Sequence, residues 1–170
     1  MTVLRKFAED DARQPRLETS DSSVITAELA AIGVRFERWN ARAVLAPDAD
    51  QEAVIAAYRA DIDRLMRESG YHSVDVVRIA KGTPDTEPMR RKFLDEHTHS
   101  EDEVRFFVEG EGAFYLRRAG HVYQVVCARN DLISVPAGTT HWFDMGPHPH
   151  FTAIRLFTNT EGWIAAFTGA

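Results

Sequence analysis

The chain has 170 residues, of which 44% are hydrophobic and 27% charged, which suits one folded domain and excludes both a disordered chain and two ordinary domains. A net charge of -6 denies nucleic acid the positive field it needs, so any anionic ligand must be held by local arginines. The single cysteine, Cys127, forbids an internal disulfide, and no stretch is apolar for long enough to span a membrane, so the expected setting is the cytoplasm with no membrane partner.

In chain order, residues 2–8 alternate weakly and read as an edge strand, and the polar, proline-containing stretch from Asp10 to Asp21 reads as a surface connection. A first helix is predicted from a cap at Ser22 or Ser23, with Val24, Ile25, Leu29 and Ile32 as its apolar stripe and Gly33 at its end. Val34 to Trp39 alternates as a short strand. A longer helix follows: Asp48 and Gln51 have capping-box spacing, Val54, Tyr58, Ile62, Leu65 and Met66 share a face, and Gly70 terminates it. Ser73 to Lys81 is β-branched and alternating, and a short basic helix is expected around Met89–Lys92.

From His97 the character is that of strands. Runs at 103–109, 113–118, 121–127, 132–135, 141–144 and 151–158 are separated by turn residues, which predicts a sandwich or small barrel. The expected architecture is one mainly β domain over 1–170, with helices in 22–70 packing on a barrel formed mainly by 73–158.

The chemistry concentrates in His97-Thr98-His99-Ser100-Glu101-Asp102-Glu103 and in Pro136-Ala137-Gly138-Thr139-Thr140-His141. Side chains two apart on a strand face the same way, so His97 and His99 project together, Glu103 keeps their parity, and the Pro-x-Gly turn aims His141 at them. Three imidazoles and one carboxylate without thiolates suit Fe(II), Ni(II), Mn(II), Co(II) or Cu(II), and leave exchangeable positions on a six-coordinate ion. The bland alternative is a hydrogen-bonded polar cluster. His72, after a helix end, and His121, at a strand start, are weaker candidates, and the His148-Pro149-His150 turn reads as surface loop. Arg105 shares the inward parity, and a buried arginine needs either a structural carboxylate or an anionic substrate. Arg155, inside the apolar run 151–157, poses the same choice, and Phe143 has the parity of a pocket wall or of plain core.

The segments Glu96–Phe106, Gly110-x-Gly112-x-Phe114 and Val135–Phe143 resemble the acireductone dioxygenases of the cupin superfamily, and Arg91-Lys92-Phe93-Leu94, Arg155 and the early helices extend the resemblance over most of the chain. Arg91 and Met145 depart from the general cupin pattern, where glycine and asparagine are common, but neither position is a ligand. The resemblance implies a cupin fold and a methionine-salvage enzyme cleaving 1,2-dihydroxy-3-keto-5-methylthiopentene with O2. It implies one Fe(II) or Ni(II) per chain on His97, His99, Glu103 and His141. The Fe(II) form would give 2-keto-4-methylthiobutyrate and formate, and the Ni(II) form 3-methylthiopropionate, formate and CO. With that substrate, Arg105 and Arg155 would stabilise developing oxyanions, and Phe93, Leu94, Phe143 and Trp163 would line the pocket. Asp102 and Glu101 or Glu96 would orient the imidazoles. The chain is expected to act as a monomer. Two other readings stay open from sequence: another metal-dependent cupin enzyme, such as an isomerase or a diketone dioxygenase, and a non-catalytic metal- or small-molecule-binding cupin.

Overall fold

The computed structural model describes residues 1–158 and 165–169. The chain opens with β1 (Val3–Ala8) and β2 (Leu17–Thr19), paired antiparallel. The second of these lies in the stretch expected to be a surface connection; Arg5 Nε donates to Glu18 Oε2 across the pair at 2.6 Å. Helix α1 (Ser22–Ala30) is capped by Asp21 rather than by a serine. Its carboxylate accepts from the amides of Ser23 at 2.8 Å and Val24 at 3.4 Å, where an ionised acceptor suits the positive end of the helix. Ile25 and Leu29, one turn apart, are fully buried, and β3 (Arg35–Arg38) follows.

The single helix expected between Pro47 and Gly70 is two, α2 (Gln51–Ala57) and α3 (Arg59–Ser69), broken at Tyr58. Tyr58 leaves helical geometry with its ring edge-on to Phe106 and its hydroxyl accepting from the Ala43 amide at 3.1 Å, so a tertiary anchor overrides local propensity. Asp50, not Asp48, caps α2, and Gln51 is drawn instead to the Val76 amide at 3.1 Å. Gly70, at φ 68°, closes α3 in the left-handed region.

The remaining elements are β4 (Ser73–Ile79), α4 (Glu87–Leu94), β5 (His97–Thr98), β6 (Glu103–Arg118), β7 (His121–Ala128), β8 (Asp131–Val135), β9 (Thr140–Asp144), β10 (His150–Phe157) and β11 (Ala166–Phe167). Strand β6 runs unbroken for 16 residues where the sequence predicts two strands separated at Gly110-Glu111-Gly112. Gly110 adopts φ 66° and bends the strand without ending it; a Cβ there would lie 1.8 Å from the His150 carbonyl oxygen. The first half of β6 pairs with β8 and β10 and the second half with β7 and β9. Beyond these, β4 flanks β10, β3 flanks β8, β1 and β2 follow β7, and β5 and β11 follow β9.

The bend folds this sheet over a core of Phe107, Phe114, Phe143, Phe151, Leu116 and Val125, all buried. On the outer side of the first half, Val104, Phe106, Ile154 and Leu156 pack under Val54 of α2, Tyr58 at the break, and Ile62 and Leu65 of α3. The helices therefore cover the outside of the β structure, and the inward residues at the start of β6, Glu103 and Arg105, face the opposite way, into the fold.

Candidate metal centre

Strands β5 and β9 meet at one residue pair, His97 opposite His141. Directly opposed residues share a face, so the two rings approach to 4.5 Å between centroids. His99, two residues beyond His97, brings its ring to 4.9 Å from His97 and 5.2 Å from His141. The turn before His141 is tied to the histidine segment: the Gly138 amide donates to the His99 carbonyl at 2.9 Å, and the Ala137 amide to Asp102 Oδ1 at 2.7 Å. One ring nitrogen from each of the three histidines lies within 4.8 Å of the others.

Glu103, at the head of β6 and 1% exposed, adjoins this three-histidine group, with Oε2 3.1 Å from His99 Nε2 and 3.7 Å from His141 Nε2. Its other oxygen accepts from Arg105 Nε at 2.5 Å. Burial alone would raise the Glu103 pKa, but the Arg105 guanidinium and the imidazoles override it and hold the carboxyl well below its usual range. Burial pulls the His97 imidazole down to about 4. The cluster thus presents an ionised carboxylate and at least one imidazole kept neutral, the forms that bind a metal ion. His141 Nε2 is buried with no hydrogen-bond partner, a state costly to leave unsatisfied, and the buried Glu103 Oε2 faces the two ring nitrogens just named. A divalent cation held by these residues would supply the missing partner, so the residues fit a metal.

The tautomers of His97 and His141 are set by backbone carbonyls, not by carboxylates. His97 Nδ1 lies 2.7 Å from the Asp95 carbonyl and His141 Nδ1 2.7 Å from the Thr139 carbonyl, leaving Nε2 of each for a ligand. The orienting role expected of Glu96 and Asp102 is therefore corrected for these two rings. Glu96 instead accepts from Arg117 Nε at 2.8 Å and Thr168 Oγ1 at 2.8 Å, and Asp102 serves the Pro136–Gly138 turn. Glu101 takes the Thr158 hydroxyl.

Beside the cluster lies a pocket of about 160 Å³ lined by His97, His99, Arg105, Arg155, Lys92 and Phe93, with Ala165 and Phe167 from the C-terminal segment. Arg105, 2% exposed, packs its guanidinium 4.9 Å from the Phe114 ring centroid, 5.1 Å from that of Phe143 and 5.8 Å from that of Phe93, and its Nη1 has no hydrogen-bond partner. Phe143 thus backs Arg105, and Phe93 meets it edge-on at 6.2 Å. Arg155 is held on Asp75 by two bonds, of 2.8 and 2.5 Å, so the internal salt bridge claims most of it although it reaches the pocket. Leu94 is half-buried but lies off the pocket lining, and Trp163 lies outside the described residues. Lys92, Ala165 and Phe167 are lining residues that the sequence reading missed; Phe167 sits on a two-residue strand with no periodicity to reveal it. A larger groove of about 540 Å³ runs along Gly110–Ala113, Tyr115 and Asp144–His148, and none of His97, His99 and His141 lines it. Cys127 is buried, and burial pushes its thiol pKa well up, as an inert core thiol requires.

A folded-over antiparallel sheet that focuses three histidines and a buried glutamate beside a small lined pocket defines a metal-binding protein of the cupin class. The chain belongs to the ARD/ARD' family, whose model matches residues 1–165. It is 62% identical to the acireductone dioxygenase of Parvibaculum lavamentivorans over 99% of this chain and 92% of that one. It is 56% identical to the acireductone dioxygenase of Stenotrophomonas maltophilia strain R551-3, over 99% and 91%. Among solved structures, the acireductone dioxygenase from Bacillus anthracis with a cadmium ion in its active centre superposes with a TM-score of 0.83 at 27% identity, covering 98% of each chain.

Proposed function

We propose that this protein is a metal-dependent dioxygenase that cleaves 1,2-dihydroxy-3-keto-5-methylthiopentene with O2, working as a monomer. Full-length relatives of that name support the reaction class. The observation that carries the reading to this chain is an orphaned ring nitrogen on His141 beside the buried Glu103 carboxylate, with an orphaned Arg105 Nη1 in the lining of the adjoining small pocket. His97, His99, Glu103 and His141 would hold one Fe(II) or Ni(II). Bound there, the ion would supply a Lewis acid that keeps an enediol substrate deprotonated.

The chain's own residues do the rest. Arg105 is locked at Nε by Glu103, which leaves Nη1 to donate to an oxygen of the ionised enediol. The Phe93, Phe114 and Phe143 rings around the guanidinium keep that hydrogen bond dry and therefore strong. Lys92 adds positive potential at the mouth, which draws the anion toward a protein of net negative charge. The apolar wall at Phe93 suits a methylthioethyl tail and fixes which end of the substrate enters first.

The test is anaerobic reconstitution of metal-free protein with Fe(II) and with Ni(II), followed by O2 uptake, product analysis and headspace gas measurement. The expected products are 2-keto-4-methylthiobutyrate and formate with iron, and 3-methylthiopropionate, formate and CO with nickel. Absence of O2 uptake with either metal refutes the reading. Equal products from both metals would leave the dioxygenase and remove the metal-dependent outcome.

A further inference from the structure

Phe167 is a phenylalanine that the fold leaves 55% exposed, on a two-residue edge strand, with its ring against the candidate site. In the β11–β5 pairing it stands directly opposite His97, which in turn stands opposite His141 in β9. The three side chains therefore form one cross-strand row on one face, and the Phe167 ring lies 5.9 Å from the His97 ring at 64°. A ladder of two residues is too short to hold an exposed aromatic by itself. A polar latch beside it does so. The Thr168 amide donates to the Glu96 carbonyl at 3.0 Å, and the Thr168 hydroxyl donates to Glu96 Oε1 at 2.8 Å. Glu96 Oε2 is fixed by Arg117 Nε of β6 at 2.8 Å, so one buried carboxylate ties the C-terminal strand to the body of the sheet.

Resting on the acireductone reading of the site, we propose that Phe167 is the outer wall of the substrate pocket and determines which substrate tails are accepted, with Glu96 and Thr168 as the residues that position it. Phe93 on α4 lines the same pocket, so the space these two rings help bound is the space left for an apolar tail. The partial exposure of Phe167 follows from this role: the ring face turned to solvent is one that a bound tail would cover. Phe167 touches no atom of the chemistry, so it acts on the choice of substrate and not on the bond-breaking step.

The experiment compares wild type, Phe167→Ala and Thr168→Val, all metal-loaded, on acireductones whose tails grow from methyl through methylthioethyl to hexyl. Wild-type turnover of the methylthioethyl compound establishes the underlying reading; if it is absent, that reading fails and the inference falls with it. Given turnover, Phe167→Ala is expected to lower kcat/KM roughly tenfold for the methylthioethyl compound, mainly through KM, to affect the methyl compound least, and to shift preference toward bulkier tails. Thr168→Val, which keeps shape but loses the hydroxyl, is expected to move the same ratio in the same direction by a smaller factor. In the metal-free protein it is expected to speed hydrogen exchange at the Thr168 amide. Loss by one common factor across all tails, or no change in their ratio, overturns the proposal. Metal content unchanged across the variants confirms that the effect is not loss of the ion.

Discussion

Arg155 stands directly opposite Arg105 in the β10–β6 pairing, and on its other side directly opposite Asp75 in the β10–β4 pairing. Two like charges side by side on a sheet are unfavourable. The bidentate bond to Asp75 neutralises one of them and leaves the other to Glu103 and the pocket. Asp75→Asn is therefore expected to destabilise the protein by about 1 to 2 kcal/mol and to depress turnover, because Arg155 becomes a free cation beside Arg105. The double variant Asp75→Asn with Arg155→Met is expected to recover part of that loss. Thermal melts and kinetics of the four proteins in the cycle measure it.

Arg105→Met separates binding of the ion from use of it. The four candidate ligands remain, so metal content measured by mass spectrometry is expected to stay stoichiometric. Turnover is expected to fall about 10² to 10³-fold as a donor to the substrate oxyanion is lost. The metal-free form of this variant leaves the buried Glu103 carboxylate without its guanidinium partner and is expected to lose about 3 to 5 kcal/mol of stability. Loss of metal along with activity would assign Arg105 to shaping the ligand set instead.

Gly112 makes room for Phe143: a Cβ there would lie 2.2 Å from Cζ and 2.6 Å from Cε2 of that ring. Gly112→Ala is expected to cost about 1 to 3 kcal/mol and to push the ring toward Arg105, lowering kcat/KM. Gly110→Ala is expected to be worse, since its Cβ would meet the backbone of β10 at a positive φ. Denaturant melts rank the two.

Asp131 provides a pH signature remote from the metal centre. It is fully buried at the start of β8, accepts from Thr2 Oγ1 at 2.5 Å and the Ala128 amide at 2.8 Å, and burial raises its pKa above the usual carboxylate value. The folded protein therefore holds this proton where the unfolded chain has released it, and the contribution of Asp131 to stability falls as pH rises from the unfolded pKa through the folded one. The stability of wild type relative to Asp131→Asn is expected to decline across that interval and to level off above it. A difference that instead grows with pH would contradict the raised value.

Much of this was legible in the sequence because the governing patterns are local. Parity within 97–105 anticipates the common face of His97, His99, Glu103 and Arg105, and turn residues mark the ends of β7, β8 and β9. What escaped depends on distant partners. The break at Tyr58 is made by Phe106 and Ala43, and the diversion of Glu96 by Arg117 and Thr168. Gly110 reads as a terminator until the pairing of β10 shows it to be a bend. Phe167 carries no signal at all, because a two-residue strand has no period.

Among the described residues, β6 is the only strand with more than two partners, and the pairings branching from it never rejoin. Such wiring has no redundancy: no ladder can be lost and its function carried around by another route. An opening that frees the head of β6 is then close to unfolding the whole domain. Glu103 sits at that head, so an ion gripped there is expected to exchange through the pocket mouth, on the timescale of ligand dissociation, and not by the breathing of a strand.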